Sequence, residues 1–347
     1  MSFEVNRNTS GASNTLTKVH VRVPATTANL GPAYDTLGMA ISLFMDLFVE
    51  VADMFSFTME GEGEKHISKG PENMLVKACE LAFTEYGKRP MPPLKFHVVN
   101  RIPYCCGCGS SSAAAVAGFV SGLHLCGLSM ATYNQEELLS VITRIEGHPD
   151  NAAPAIYGGL RLSFTDLNKE VGSHSVSVPA NLALVLFVPN KLMKADTHTA
   201  RGLIPTHVSL EDAVHNVSRA SLLILALTSG RLHILKDCSD RLHEQHRADK
   251  LYPHYYPCLE ASRATGAEYT FLSGAGPTVC AMVSGRRGDI LLQPPEERLA
   301  EKVAEAMLKA AATTGVQGRA IITRVSDIGA HCVGFREFKE NILFINN

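Results

Sequence analysis

Tryptophan is absent from this 347-residue chain. Intrinsic tryptophan fluorescence therefore cannot report binding. No stretch of eighteen apolar residues occurs, so no spanning helix is expected. An excess of basic residues is also missing. The formal net charge is −2, which leaves no broad cationic footprint for nucleic acid. Cys105, Cys106 and Cys108 cluster, but no second pair of Cys or His ligands stands at zinc-site spacing. Nine cysteines, an odd number, in a chain whose first residues lack the apolar centre of an export signal, predict reduced thiols in a cytoplasmic setting.

The most informative stretch present is Ile102-Pro-Tyr-Cys-Cys-Gly-Cys-Gly-Ser-Ser-Ser-Ala-Ala-Ala115. A β-type run, 94–99, leads in, and an alanine-rich helical run to about Leu125 leads out. Small residues let backbone N–H groups approach a ligand, and a helix start adds unpaired N–H groups and a positive dipole end. That architecture suits a polyphosphate. An ordinary strand-to-helix turn has a similar composition. No Gly-Lys-Ser/Thr follows, so this is not a Walker A loop.

Length and composition suit two domains. A polar tail is expected over residues 1–17, a first domain over 18–170 and a second over 171–347. The polar run 166–178 marks the division. Asn134 with Glu137 reads as a capping box for a helix to Glu146. Helical patterns are expected at 210–228, 231–247, 255–265 and 296–313, and strands at 182–188, 279–283 and 318–325. A last short strand is expected at 342–345. Strands and helices mix without regular alternation, which argues against a doubly wound sheet.

Three segments in order are Val23-Pro-Ala-Thr-Thr-Ala-Asn-Leu-Gly-Pro-Ala-Tyr-Asp-Thr-Leu-Gly38, the 102–115 loop, and Leu272-Ser-Gly-Ala-Gly-Pro-Thr278. In order and spacing they resemble the GHMP kinase superfamily. The first segment, together with Glu146-Gly-His-Pro-Asp-Asn-Ala-Ala-Pro-Ala-Ile-Tyr-Gly-Gly159, resembles its homoserine kinases. The resemblance implies an α+β fold with an N-terminal phosphate-loop domain and a C-terminal ferredoxin-like domain. It implies transfer of the γ-phosphate of ATP to the hydroxyl of L-homoserine, giving O-phospho-L-homoserine, a threonine precursor. ATP with Mg²⁺ and a homodimer are implied too, with neither nucleic acid nor membrane as partner.

Carried onto this sequence, the resemblance gives ATP to Pro103, Gly107, Cys108, Gly109, Ser110, Ser111 and Ser112. Ser111 and Glu146 would hold Mg²⁺. Arg201 and Arg247 match positions that bind the acceptor's carboxylate, and Asp35 its ammonium; Asn29, His148 and Asn151 line the same acceptor site. Ser273, Gly274 and Gly276 support the phosphate loop. Some relatives carry an aspartate base where Asn151 stands, and an amide takes no proton at neutral pH. Asn151 therefore implies catalysis without a dedicated protein base, with Asp35 as the rival base. Ala33 replaces a usual glycine, which matters only if the backbone there needs a positive φ. A mevalonate-type kinase and a non-catalytic nucleotide-binding relative are the competing readings.

Overall fold

The computed structural model describes residues 16–128, 134–190, 197–284 and 298–333. The expected strand at 342–345 lies outside them, as does most of the expected tail.

The first sheet is built on two long strands, β1 (Lys18–Ala28) and β2 (Leu37–Val51). Their antiparallel register shifts between Pro24 and Ala25. Proline has no N–H to give a ladder, so it sits where the pairing is already interrupted. Beside β2 lie β3 (Ser56–Gly61), β4 (Leu94–Asn100), β5 (Leu160–Thr165) and β6 (Val171–Val176). The sheet order is β11-β1-β2-β4-β3, where β11 is His331–Cys332, and β5 joins β2 to β6. Among the described residues only β3 and β4 run parallel within it. Four helices accompany this sheet: α1 (Met74–Leu81), α2 (Ser110–Leu125), α3 (Gln135–Glu146) and α4 (Pro149–Tyr157). A π-helical turn, Ala82–Tyr86, extends α1. Helix α2 carries so many Ala and Gly residues that it is buried along most of its length.

The second sheet has the order β10-β7-β9-β8, from β7 (Leu182–Pro189), β8 (Tyr269–Leu272), β9 (Val279–Ser284) and β10 (Gly318–Arg324). All its pairings are antiparallel. Between β7 and β8 come α5 (Thr197–Arg201), α6 (Leu210–Ser229), α7 (Glu244–Leu251) and α8 (Tyr255–Thr265), and α9 (Leu299–Thr313) precedes β10. A strand order of 4-1-3-2 with two crossovers is the ferredoxin-like arrangement. The expected two-domain α+β architecture is therefore present. Among the described residues no helix is long and apolar enough to cross a membrane.

Two local expectations need correction. The helix expected over 231–247 is a 3-10 turn, Leu232–Asp237, and the separate start of α7. The Asp240 carboxylate accepts from the N–H groups of Leu242, His243 and Glu244. Such a carboxylate caps a new helix and breaks a continuing one. The polar run 166–178 holds a hairpin. Asp166 accepts from the N–H groups of Asn168 and Glu170 at its turn, and β6 then pairs with β5. The first sheet thus extends past residue 170, and β11 returns to it from the far end of the chain. We propose that the domain division lies at 177–181.

Candidate active site

A cleft of about 580 Å³ runs from the phosphate loop to the acceptor residues. Its phosphate end is made of backbone and small side chains. Gly107 and Gly109 have φ of +76° and +67°. A Cβ on Gly107 would lie 2.2 Å from the Ser273 carbonyl oxygen, and one on Gly109 would lie 1.8 Å from Thr26 Oγ1. Neither position accepts a side chain. The loop is locked by Ser273 Oγ donating to Gly107 O at 2.7 Å, Thr26 N to Cys108 O at 3.1 Å and Thr278 N to Cys106 O at 3.3 Å. The third motif therefore packs on the phosphate loop. Gly109 precedes α2, whose first residues Ser110, Ser111 and Ser112 line the cleft. The unpaired N–H groups of that helix start offer a site for anions.

Glu146 is the last residue of α3, where Gly147 turns the chain with φ +87°. There its Oε2 accepts from Ser111 Oγ at 2.8 Å and from Ser112 Oγ at 2.6 Å. Hard oxygen donors thus converge beside the phosphate loop. This suits Mg²⁺, which takes few protein ligands and completes its shell with phosphates and water. Among the described residues no group of three or more His, Cys, Asp and Glu could hold a metal ion. The Cys cluster is no exception. Burial pushes the Cys106 thiol up to about 11 and the Cys108 thiol up to about 12, so both stay protonated.

The acceptor end is made of charge. Arg201, from α5, makes a two-pronged ion pair with Asp35, at 2.6 and 2.9 Å. Arg247, from α7, is 1% exposed, yet among the described residues it bonds only neutral groups. It donates to Ala200 O at 3.2 Å, Gly274 O at 3.1 Å and His243 Nδ1 at 3.2 Å. His243 Nε2 lies 2.7 Å from Gly31 O and so carries the hydrogen, leaving Nδ1 to accept. Burial pushes the His243 pKa down to about 4, so the ring is neutral. Tyr34 lies 5.4 Å from both guanidinium groups, which suits cation–π attraction.

Asn29 has φ +73°. Its amide donates to Gly274 O at 2.8 Å, and its Oδ1 accepts from Asp35 N at 3.0 Å. It thus ties the first motif to the third while lining the cleft. Asn151 Oδ1 accepts from Thr26 Oγ1 at 2.7 Å. His148 Nδ1 bonds Asp150 Oδ1 at 2.5 Å. Burial lowers the His148 pKa, but the Asp150 carboxylate outweighs it and the net shift is upward. Ala33 does not enter the left-handed region, so replacing the usual glycine costs nothing there.

The structure gathers the residues expected at the site. Asp35 and Ser273 stand just outside the cleft lining and act through Arg201 and Gly107. Sequence reasoning missed Tyr34, Asp150 and His243. Two of these lie inside motifs already noticed, so their position was a usable signal. It also missed the cleft's far end, where Ile67 and Met74 add apolar surface beside the rings of His66 and Tyr104.

Residues 73–159 match the family model for the GHMP kinases N terminal domain, and 223–313 that for GHMP kinases C terminal. A homoserine kinase of Moorella thermoacetica is 40% identical over 298 residues, covering 86% of this chain and 94% of that protein. One of Desulfitobacterium hafniense is 36% identical over 313 residues, covering 90% and 99%. The crystal structure of homoserine kinase from Cytophaga hutchinsonii matches with a TM-score of 0.77 at 22% identity, covering 94% of this chain and all of that one. That last likeness speaks for the fold.

Proposed function

The chain belongs to the homoserine kinases of the GHMP kinase superfamily, and from that membership we infer that it transfers the γ-phosphate of ATP to the hydroxyl of L-homoserine. The observation that carries the acceptor assignment is the Asp35–Arg201 ion pair beside the buried, carboxylate-free Arg247. A zwitterionic amino acid brings one charge for each side of that pair. Its ammonium replaces Arg201 on Asp35, and its carboxylate takes the guanidinium groups of Arg201 and Arg247, for which a planar fork is suited. Mevalonate has a carboxylate but no ammonium, and would leave Asp35 without a partner.

ATP lies with its phosphates on the 105–112 loop and the start of α2, and its base toward Ile67 and Met74. Ser111 and Glu146 would hold Mg²⁺, with Ser112 bonded to the same carboxylate oxygen. When bound, the ion neutralises charge on the phosphates and orients them. The acceptor hydroxyl oxygen bonds to the γ-phosphorus as the bond to the β-phosphate oxygen breaks, and ADP leaves. Asn151 is an amide already accepting from Thr26, and Asp35, paired with Arg201 in the free chain, is engaged with the ammonium once the acceptor is bound. The hydroxyl proton therefore passes to a γ-phosphate oxygen in a loose transition state.

The test is coupled ADP release with Mg-ATP and a panel of L-homoserine, D-homoserine, L-serine, L-threonine and mevalonate. Saturable turnover selective for L-homoserine is expected. Turnover with mevalonate would overturn the acceptor assignment, and ATP binding without any turnover would favour a non-catalytic relative.

A further inference from the structure

Three acceptors fix the guanidinium of Arg247. Its Nε donates to Ala200 O, and its Nη1 to both Gly274 O and His243 Nδ1. Among the described residues nothing accepts from Nη2. A guanidinium is planar, so fixing Nε and Nη1 also fixes the direction of Nη2. That nitrogen is the one left for a ligand, and Arg247 lines the cleft. Two of the three acceptors are backbone carbonyls. The side chain among them is His243, which is fully buried.

His243 takes its own place from the first motif, where Nε2–H donates to Gly31 O. That turn is pinned on either side of Gly31 by other residues of the second domain. Tyr269 donates its hydroxyl to Leu30 O at 3.2 Å, and Asn216 donates to Pro32 O at 3.2 Å. Asn29 donates to the same Gly274 O that Arg247 uses. Gly31, His243, Arg247, Gly274 and Asn29 thus form a closed circuit that joins the first motif, α7 and the third motif. The His243 ring must donate at one end of this link and accept at the other. A neutral imidazole or a carboxamide does both, and a cation cannot. Burial keeps the ring neutral. Asp240 Oδ2, 4.0 Å from Nε2, and Asp35 favour the charged form, while Arg247 opposes it. The other neighbours are Tyr34, 5.0 Å away ring to ring, and Glu244, whose carboxylate is turned to Leu272 N and the Tyr255 hydroxyl.

We propose that His243 is a positioning residue for the acceptor: it passes the fixed place of the Gly31 turn to Arg247 and so aims Nη2 at the homoserine carboxylate. This role rests on the acceptor reading given above. An apolar residue at 243 would leave Nη1 one acceptor short in a buried site, and the guanidinium would turn to recover it. A protonated ring would set an N–H against Nη1 with the same result. The turn that carries Asp35 keeps its bonds to Tyr269 and Asn216 in either case, so the ammonium site is spared. A glutamine amide supplies a donor and an acceptor in place of the two ring nitrogens.

Steady-state kinetics on His243→Leu and His243→Gln test this, together with NMR of the imidazole nitrogens in the wild type. In His243→Leu the KM for homoserine should rise roughly 10- to 100-fold while kcat and the KM for ATP are kept. Competition by 3-aminopropan-1-ol, which is homoserine without its carboxylate, should be unchanged. His243→Gln should hold the KM for homoserine within about threefold of wild type. At neutral pH the His243 ring should carry its hydrogen on Nε2 and none on Nδ1, its signals being those lost in His243→Gln. That spectrum needs neither substrate nor a folded leucine variant. An unchanged KM in folded His243→Leu, an equal weakening of 3-aminopropan-1-ol, a glutamine variant as impaired as the leucine one, or a wild-type ring protonated on Nδ1 would each overturn the role alone. A wild type that does not phosphorylate homoserine would overturn the acceptor reading and the role together.

Discussion

The two ends of the cleft are built from different materials. At the phosphate end, Gly107, Gly109 and three consecutive serines place backbone and hydroxyl groups from one short run of chain, and only Glu146 reaches in from α3. At the acceptor end, Asp35 meets Arg201 across 166 positions of sequence, and Arg247 arrives from another helix. A backbone-built site depends on conformation, so it fails when a side chain intrudes. A charge-built site depends on complementarity, so it fails when one sign is removed. The two ends should therefore respond separately to mutation, one through ATP and the other through homoserine.

The strongest perturbation is Glu146→Ala, which removes the carboxylate beside both phosphate-end hydroxyls. We expect kcat to fall about 10³-fold, reflecting several kcal/mol of lost charge stabilisation. The KM for homoserine should change little, as steady-state kinetics will show. Gly107→Ala comes next. Its methyl meets the Ser273 carbonyl in a left-handed backbone position, and the KM for ATP should rise roughly 10²-fold while homoserine binding, measured by calorimetry, is kept. An equal loss at both ends would break the division. The smallest effect is expected for His148→Gln. The pair with Asp150 raises the folded pKa of His148. Its stabilisation is complete below the ordinary histidine value of about 6.5 and is lost as pH rises through the raised folded value. The Tm difference between wild type and variant should be widest in mild acid and close in alkali.

The same contrast governs what the sequence made legible. The phosphate loop could be read directly, because small residues between a strand and a helix dictate their own geometry. The acceptor residues came only through resemblance, since no local pattern joins Asp35 to Arg201. Tyr34 and His243 were missed for the same reason. Their roles arise from contact with two arginines that the fold, and not the local sequence, brings near. In the scaffold, long strands and amphipathic helices matched their patterns. The hairpin to β6 did not, because it is polar and half exposed and so lacks the alternation that reveals a strand. The break before α7 went unseen because Asp240 reads as an ordinary polar helix residue until its carboxylate is seen to cap three N–H groups.

The most direct measurement compares L-homoserine with 4-hydroxybutyrate, its analogue without the ammonium, in wild type and Asp35→Asn. The account predicts that wild type strongly prefers homoserine. In the variant the KM for homoserine should rise about 10- to 100-fold with kcat largely kept, while the hydroxy acid is little affected, so the preference collapses. A large fall in kcat with an unchanged KM would instead make Asp35 the base, and a preference that survives the substitution would contradict a charge-built acceptor site.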